Sequence, residues 1–225
     1  VGSVHDSVYP DVGFTLFGAH LFKSIDGGES FTEMSNGFPI ETRTAINVIV
    51  VHPDSSDIAY AMTTRHESET AIGVYKTIDG ARSWTEANNG IDPQTNDIQM
   101  DPLEPDTLYA ATEVGVYKTT DGATTWQLHS EGLPAGPVID LALDPVNPLM
   151  LYAITPEHVY RTKDGGDHWY QVDLGLPLDA SSDSVTAGTS PTIALGDSEG
   201  HLVYGGYFAQ DRTLEIDATG RLLYV

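Results

Sequence analysis

The chain has 225 residues, 40% of them hydrophobic, which is the composition of a folded protein with a sizeable core rather than a disordered segment. With 33 acidic and 10 basic residues its formal net charge is −23. That excludes a nucleic-acid backbone or an anionic membrane surface as partner, since both need a basic face. The absence of cysteine excludes disulfides and thiolate metal sites, and no apolar run approaches the length of a membrane span, so no direct membrane insertion is expected.

In chain order, Val4–Ser24 reads as β-like runs leading into LFKSIDGGESF, Leu21–Phe31. The crossover Gly37–Thr44 carries Glu41 and Arg43. INVIVVHPDSSDIAYAMT, Ile46–Thr63, reads as two strands about a Pro/Asp turn. A longer polar loop follows, Thr63–Gly73, with Arg65, His66, Glu67 and Glu69, and then VYKTIDGARSW, Val74–Trp84. DIQMDPLEPDTLYAAT (Asp97–Thr112) and VYKTTDGATTW (Val116–Trp126) repeat the same order. The next unit is the clearest. A strand at Val138–Leu143 meets a turn at Asp144–Pro148, then strands at Leu149–Ile154 and His158–Thr162, a turn at Lys163–Asp167, and a last strand from Trp169. Beyond a Ser/Asp-rich loop, Leu178–Ser190, four further runs read as strands: Thr192–Leu195, His201–Tyr207, Thr213–Asp217 and Arg221–Val225. Nothing holds a helical period.

Asp26, Asp79, Asp121 and Asp164 fall in one register, at steps of 53, 42 and 43 residues. A unit of about 42 residues is the length of a four-stranded propeller blade. The pattern therefore predicts an all-β protein: a single β-propeller domain of four-stranded antiparallel blades, about five in number, at roughly 1–40, 41–92, 93–135, 136–178 and 179–225. The Asp is expected to accept backbone N–H groups across a tight turn, and the following Gly to supply a positive φ. Phe31, Trp84, Trp126 and Trp169 are expected to pack between sheets as structural residues. Lys23, Lys76, Lys118 and Arg161 share one repeat position and are expected to pair with nearby carboxylates.

The form S/T-x-D-G-x-x-S/T-W, complete at Thr77–Trp84 and Thr119–Trp126, resembles the BNR or Asp-box repeat family. Phe31 replaces Trp in the first copy, and His168 replaces Ser/Thr in the fourth. The resemblance covers about Val1 to Pro177. It implies the propeller fold but spans several functions: sialidases, xyloglucan-type endoglucanases, sortilin-type receptors and photosystem assembly factors. The DPxxPxxLYA and VYKTTDG phrases are most similar to the xyloglucanase-like enzymes, which place two Asp about the scissile bond. The sialidase F/Y-R-I-P signature is missing.

Alternating strand direction puts the first turns and the Asp-boxes at one end of each blade, and the remaining connections at the other. What recurs reads as scaffold; what varies is available for recognition. The variable end gathers the binding candidates Arg43, Arg65, His66, Glu67, Glu69, Glu113, Glu157, His158 and Arg212. Arg43, Arg65 and Arg212 could clamp a carboxylate. The expected function is a secreted, periplasmic or cell-surface binding or scaffolding module for a protein or a polysaccharide. The alternative is a glycoside hydrolase or a piece of one. No D-x-D-x-D-G loop and no His ligand spacing appears, so neither a metal nor a cofactor is expected, and no residue is assigned as catalytic.

Overall fold

The computed structural model describes residues 3–5, 13–17, 20–26, 28–38, 44–65 and 73–172, with the strands at 192–196, 202–206, 214–216 and 222–224. Four four-stranded antiparallel sheets follow one another along the chain. The first is β1 (Ser3–His5), β2 (Gly13–Phe17), β3 (His20–Ser24) and β4 (Thr32–Glu33). The second is β5 (Thr44–Val51), β6 (Ala59–Arg65), β7 (Gly73–Thr77) and β8 (Thr85–Glu86). The third is β9 (Thr95–Met100), β10 (Leu108–Thr112), β11 (Gly115–Thr119) and β12 (Gln127–Leu128). The fourth is β13 (Asp140–Leu143), β14 (Leu151–Ile154), β15 (Val159–Thr162) and β16 (Tyr170–Gln171). Each is a simple meander, consistent with the expected propeller-like blades.

The C-terminal runs pair differently from the expectation. β17 (Thr192–Gly196) pairs with β18 (Leu202–Gly206), and β19 (Leu214–Ile216) with β20 (Leu222–Tyr224), as two separate two-stranded sheets. β18 lies beside β20, and β19 beside β13.

The sheets stack face to face because their strands are apolar on both sides. Along β6, Ala59 and Ala61 join Leu21, Phe38 and Trp84 in a core cluster shared with the first sheet. The alternate residues Tyr60 and Met62 join Ile98, Leu108 and Trp126 in the cluster shared with the third. Tyr109 and Ala111 of β10 do the same toward the fourth, with Leu141, Leu151 and Trp169. This period-2 split explains why LYAAT is buried at every position, and it is the pattern of strands covered on both faces. The first strands β5, β9 and β13 lie side by side, so sheet succeeds sheet about a common edge.

Candidate functional site

Each described Asp-Gly turn is closed by its own side chains. Asp79 Oδ1 accepts from Thr77 Oγ1 at 2.9 Å and from Ser83 N at 2.9 Å, while Oδ2 accepts from Ser83 Oγ at 2.6 Å. Asp26 and Asp121 repeat this with Ser24 and Ser30, and with Thr119 and Thr125. In the fourth turn His168 takes both roles, donating N–H to Asp164 Oδ1 at 3.0 Å with its Nδ1 2.8 Å from Oδ2. Hydrogen bonds to the charged form, first from the Ser or Thr four residues on, hold Asp26, Asp79 and Asp121 down to about 2. Asp164 is lower still through Thr162 and His168, and its carboxylate raises the His168 imidazole. After each Asp the chain makes two left-handed residues where described, Gly80 and Ala81 (φ 74° and 73°) or Gly122 and Ala123 (65° and 64°).

The repeat lysines reach into the next sheet, where Lys23 feels the Asp57 carboxylate and all three also find a backbone partner. Lys23, Lys76 and Lys118 donate to the carbonyl of Gly80, Gly122 and Gly165 in the next sheet, at 3.1, 2.7 and 2.8 Å. Lys76 and Lys118 also sit 5.3 Å above the Tyr60 and Tyr109 rings. Tyr60, wholly buried with no partner for its hydroxyl among the described residues, is pushed up to about 12 by burial and by Asp106 and Asp121.

The tryptophans return the contact. Trp84, Trp126 and Trp169 donate indole N–H to Met34 O, Ala87 O and His129 O of the preceding sheet, at 3.0, 2.9 and 3.0 Å. Their backbone N–H groups bond Asn36 O, Asn89 O and Glu131 O. Gly37, Gly90 and Gly132 follow these acceptors, and a Cβ on any of them would stand 2.1–2.5 Å from a Trp carbonyl. This second glycine repeat is missed by the sequence reading, although its spacing matches that of the Asp-boxes. Phe31 is corrected: it is 47% exposed rather than packed between sheets. Among the described residues it has no preceding strand edge to cap.

The two ends of the sheets are as expected. Gly80, Gly122 and Gly165 donate N–H to Asp57, Asp106 and Leu149, so Asp-Gly turns and first turns share one end. At the other end Glu113 N–H donates to Gln94 O, and Glu113 Oε1 accepts from Asn96 Nδ2 at 3.1 Å. Glu157 is exposed there, and His158 Nδ1 lies 3.1 Å from Gln171 Nε2. β6 ends at Arg65 and β7 begins at Gly73, opposite the Asp-Gly turn. The Arg65 side chain, His66, Glu67, Glu69, Arg43 and Arg212 lie outside the described residues.

One acidic pair is unannounced in the sequence reading. Asp97 on β9 and Asp140 on β13 occupy the same register position in neighbouring sheets, four residues before Asp101 and Asp144. Both are buried, and both aim at one amide: Leu141 N–H meets Asp140 Oδ1 at 2.9 Å and Asp97 Oδ2 at 3.3 Å. Asp97 Oδ2 also accepts from Gln99 Nε2 at 2.9 Å, so the two carboxyls face each other across the Leu141 amide. Burial pushes Asp97 up against the pull of those donors. The signal was the repeated acid in DIQMD and DLALD.

Among the described residues no three His, Asp or Glu side chains converge as metal ligands, and no helix is long and apolar enough to cross a membrane. No family model matches the chain, and no curated protein matches it. Solved structures do. An ancestral GH74 enzyme is similar over 98% of this chain and 31% of its own, with 21% identity and a TM-score of 0.63. The GH74 xyloglucanase from Xanthomonas campestris is similar over 75% and 28%, with 20% identity and a TM-score of 0.58. YCF48 bound to D1 peptide is similar over 91% and 65%, with 14% identity and a TM-score of 0.57. The fold is thus of the β-propeller type. The chain spans about a third of the length of the GH74 structures it matches, and its structural relatives include enzymes and a peptide-bound protein.

Proposed function

We propose that this chain supplies the scaffold and a glycan-binding wall of an Asp-box propeller of the GH74-like kind, secreted, periplasmic or cell-surface. The polysaccharide is held at the loop end opposite the Asp-Gly turns, by Arg65, Glu67, Glu69, Glu113 and Glu157. The supporting observation is how the acids are used. The described Asp-box carboxylates are bonded within their own loops, and Asp97 and Asp140 both accept from the one Leu141 N–H. Glycosidase carboxyls stand about 5–9.5 Å apart to admit a sugar or a water between them. Asp97 and Asp140, held on one amide, leave no such gap, which favours binding as the role of these sheets.

The test is retention and hydrolysis of xyloglucan, other β-glucans and sialosides by the purified chain. Xyloglucan is expected to be retained without release of reducing ends. Arg65→Ala and Glu67→Gln are expected to weaken retention about tenfold, roughly 1.4 kcal/mol. Retention of none of these glycans defeats the reading, and release of reducing ends by the chain alone defeats its binding-only form. A second reading, peptide binding at the same end, is favoured by the likeness to YCF48 and predicts co-purification of a protein partner.

A further inference from the structure

We propose that a notch at the seam of the third and fourth sheets is a binding site for a neutral, hydroxyl-rich ligand the size of one sugar ring. It is a cavity of about 140 Å³ lined by Lys118, Thr119, Thr120, Thr125, Gln127 and His129. It lies beside the Asp-Gly turns, away from the loop end, so it stands apart from the reading above.

The first ground is a local departure from the repeat. Thr120 stands where the first two units have the exposed Ile25 and Ile78, and the fourth has Lys163. His129 stands where the others have Met34, Ala87 and Val172. Met34 packs against the first core cluster and Ala87 belongs to the second, so an imidazole here gives up an apolar contact. Gln127 replaces Thr32, Thr85 and Tyr170. Thr120 and Gln127 are exposed, with the Thr120 hydroxyl and the Gln127 amide open to a ligand.

The second ground is a fixed floor. Lys118 Nζ is anchored on Gly165 O, and Thr119 and Thr125 on the Asp121 carboxylate. His129 Nδ1 is 3.3 Å from Asp167 Oδ1 in the next turn, which leaves Nε2 as the ring's remaining polar atom. The cavity therefore offers donors and acceptors together: the Gln127 amide, the Thr120 hydroxyl and the His129 ring. That mixture suits hydroxyl groups, which give and take hydrogen bonds at one atom. Asp121 and Asp167 beside the cavity repel anions, and the Lys118 ammonium disfavours cations. The volume equals about five waters at ~30 Å³ each, which admits one ring and no more.

The experiment is an NMR titration of the ¹⁵N-labelled full chain with D-glucose, D-xylose and D-galactose, and separately with inorganic phosphate and methylammonium chloride. The Gln127 side-chain amide and His129 are expected to shift saturably with at least one sugar. A single ring offers few contacts, so Kd is expected on the order of 1–10 mM. The variant T120I/Q127T/H129A, which restores the second unit's residues, is expected to weaken that binding at least tenfold. Q127T alone, at an exposed position, is expected to weaken it about threefold and guards against misfolding of the triple variant. Arg65→Ala is expected to leave it unchanged, so this proposal and the loop-end reading fail separately. Absence of any shift at about 100 mM sugar, tighter binding of phosphate or methylammonium, or shifts that persist in both variants would overturn it.

Discussion

If sheet succession depends on glycine at the crossover, then Gly132→Ala and Gly136→Ala should differ sharply. Both positions have positive φ, 95° and 139°, so both carry the strain of an L side chain, about 1–2 kcal/mol. Only Gly132 is also crowded. A Cβ there would lie 2.1 Å from Trp169 O, whereas one at Gly136 meets nothing within 4 Å. The carbonyl cannot retreat freely, because Trp169 N–H bonds Glu131 O at 2.8 Å and its indole bonds His129 O at 3.0 Å. Making room means overpacking, about 1–3 kcal/mol, and weakening two hydrogen bonds worth about 1 kcal/mol each. Gly132→Ala should therefore lose roughly 3 kcal/mol more than Gly136→Ala, or about 6–12 °C of Tm for a chain of this size. Urea and thermal unfolding followed by tryptophan fluorescence and circular dichroism measure both. Equal losses in the two variants would show that the close approach to Trp169 is not what joins the sheets.

Two further expectations concern pH. Asp97 titrates above the usual carboxylate range when folded, so its proton stabilises the native state at low pH; that contribution is lost as pH rises above the unfolded value near 4. Asp97→Asn should stabilise the protein by about 1–3 kcal/mol at pH 8, with the gain shrinking toward pH 4.5 in paired urea curves. A loss at pH 8 would mean that the ionised carboxylate, accepting from Leu141 and Gln99, holds the β9–β13 seam. His168 titrates above its ordinary value in the fold, so its bond to Asp164 contributes fully below about pH 6.5 and fades as pH rises through the raised value. His168→Thr restores the hydroxyl of the other turns and should flatten that stretch of the stability–pH profile; an unchanged slope would place the titration elsewhere.

The sequence by itself determined what is local. An Asp, a Gly and a Ser, Thr or, in the fourth copy, His four residues on close a turn whose bonds all lie within seven residues, so four copies in register announced the meander before any strand was placed. Alternating burial was equally legible, since the period of a strand is written in adjacent residues. Tertiary structure decided every bond between sheets. Lys76 could not be assigned to Gly122 O, 46 residues away, until the stacking order existed. Asp97 and Asp140 look like two ordinary strand acids until β9 and β13 are set side by side, 43 residues apart in register. The notch at Thr120, Gln127 and His129 likewise needs the next sheet's turn to close it. Periodicity encodes how a blade is built, but which side chains meet across a seam depends on the distance between sheets, and no run of neighbouring residues records that.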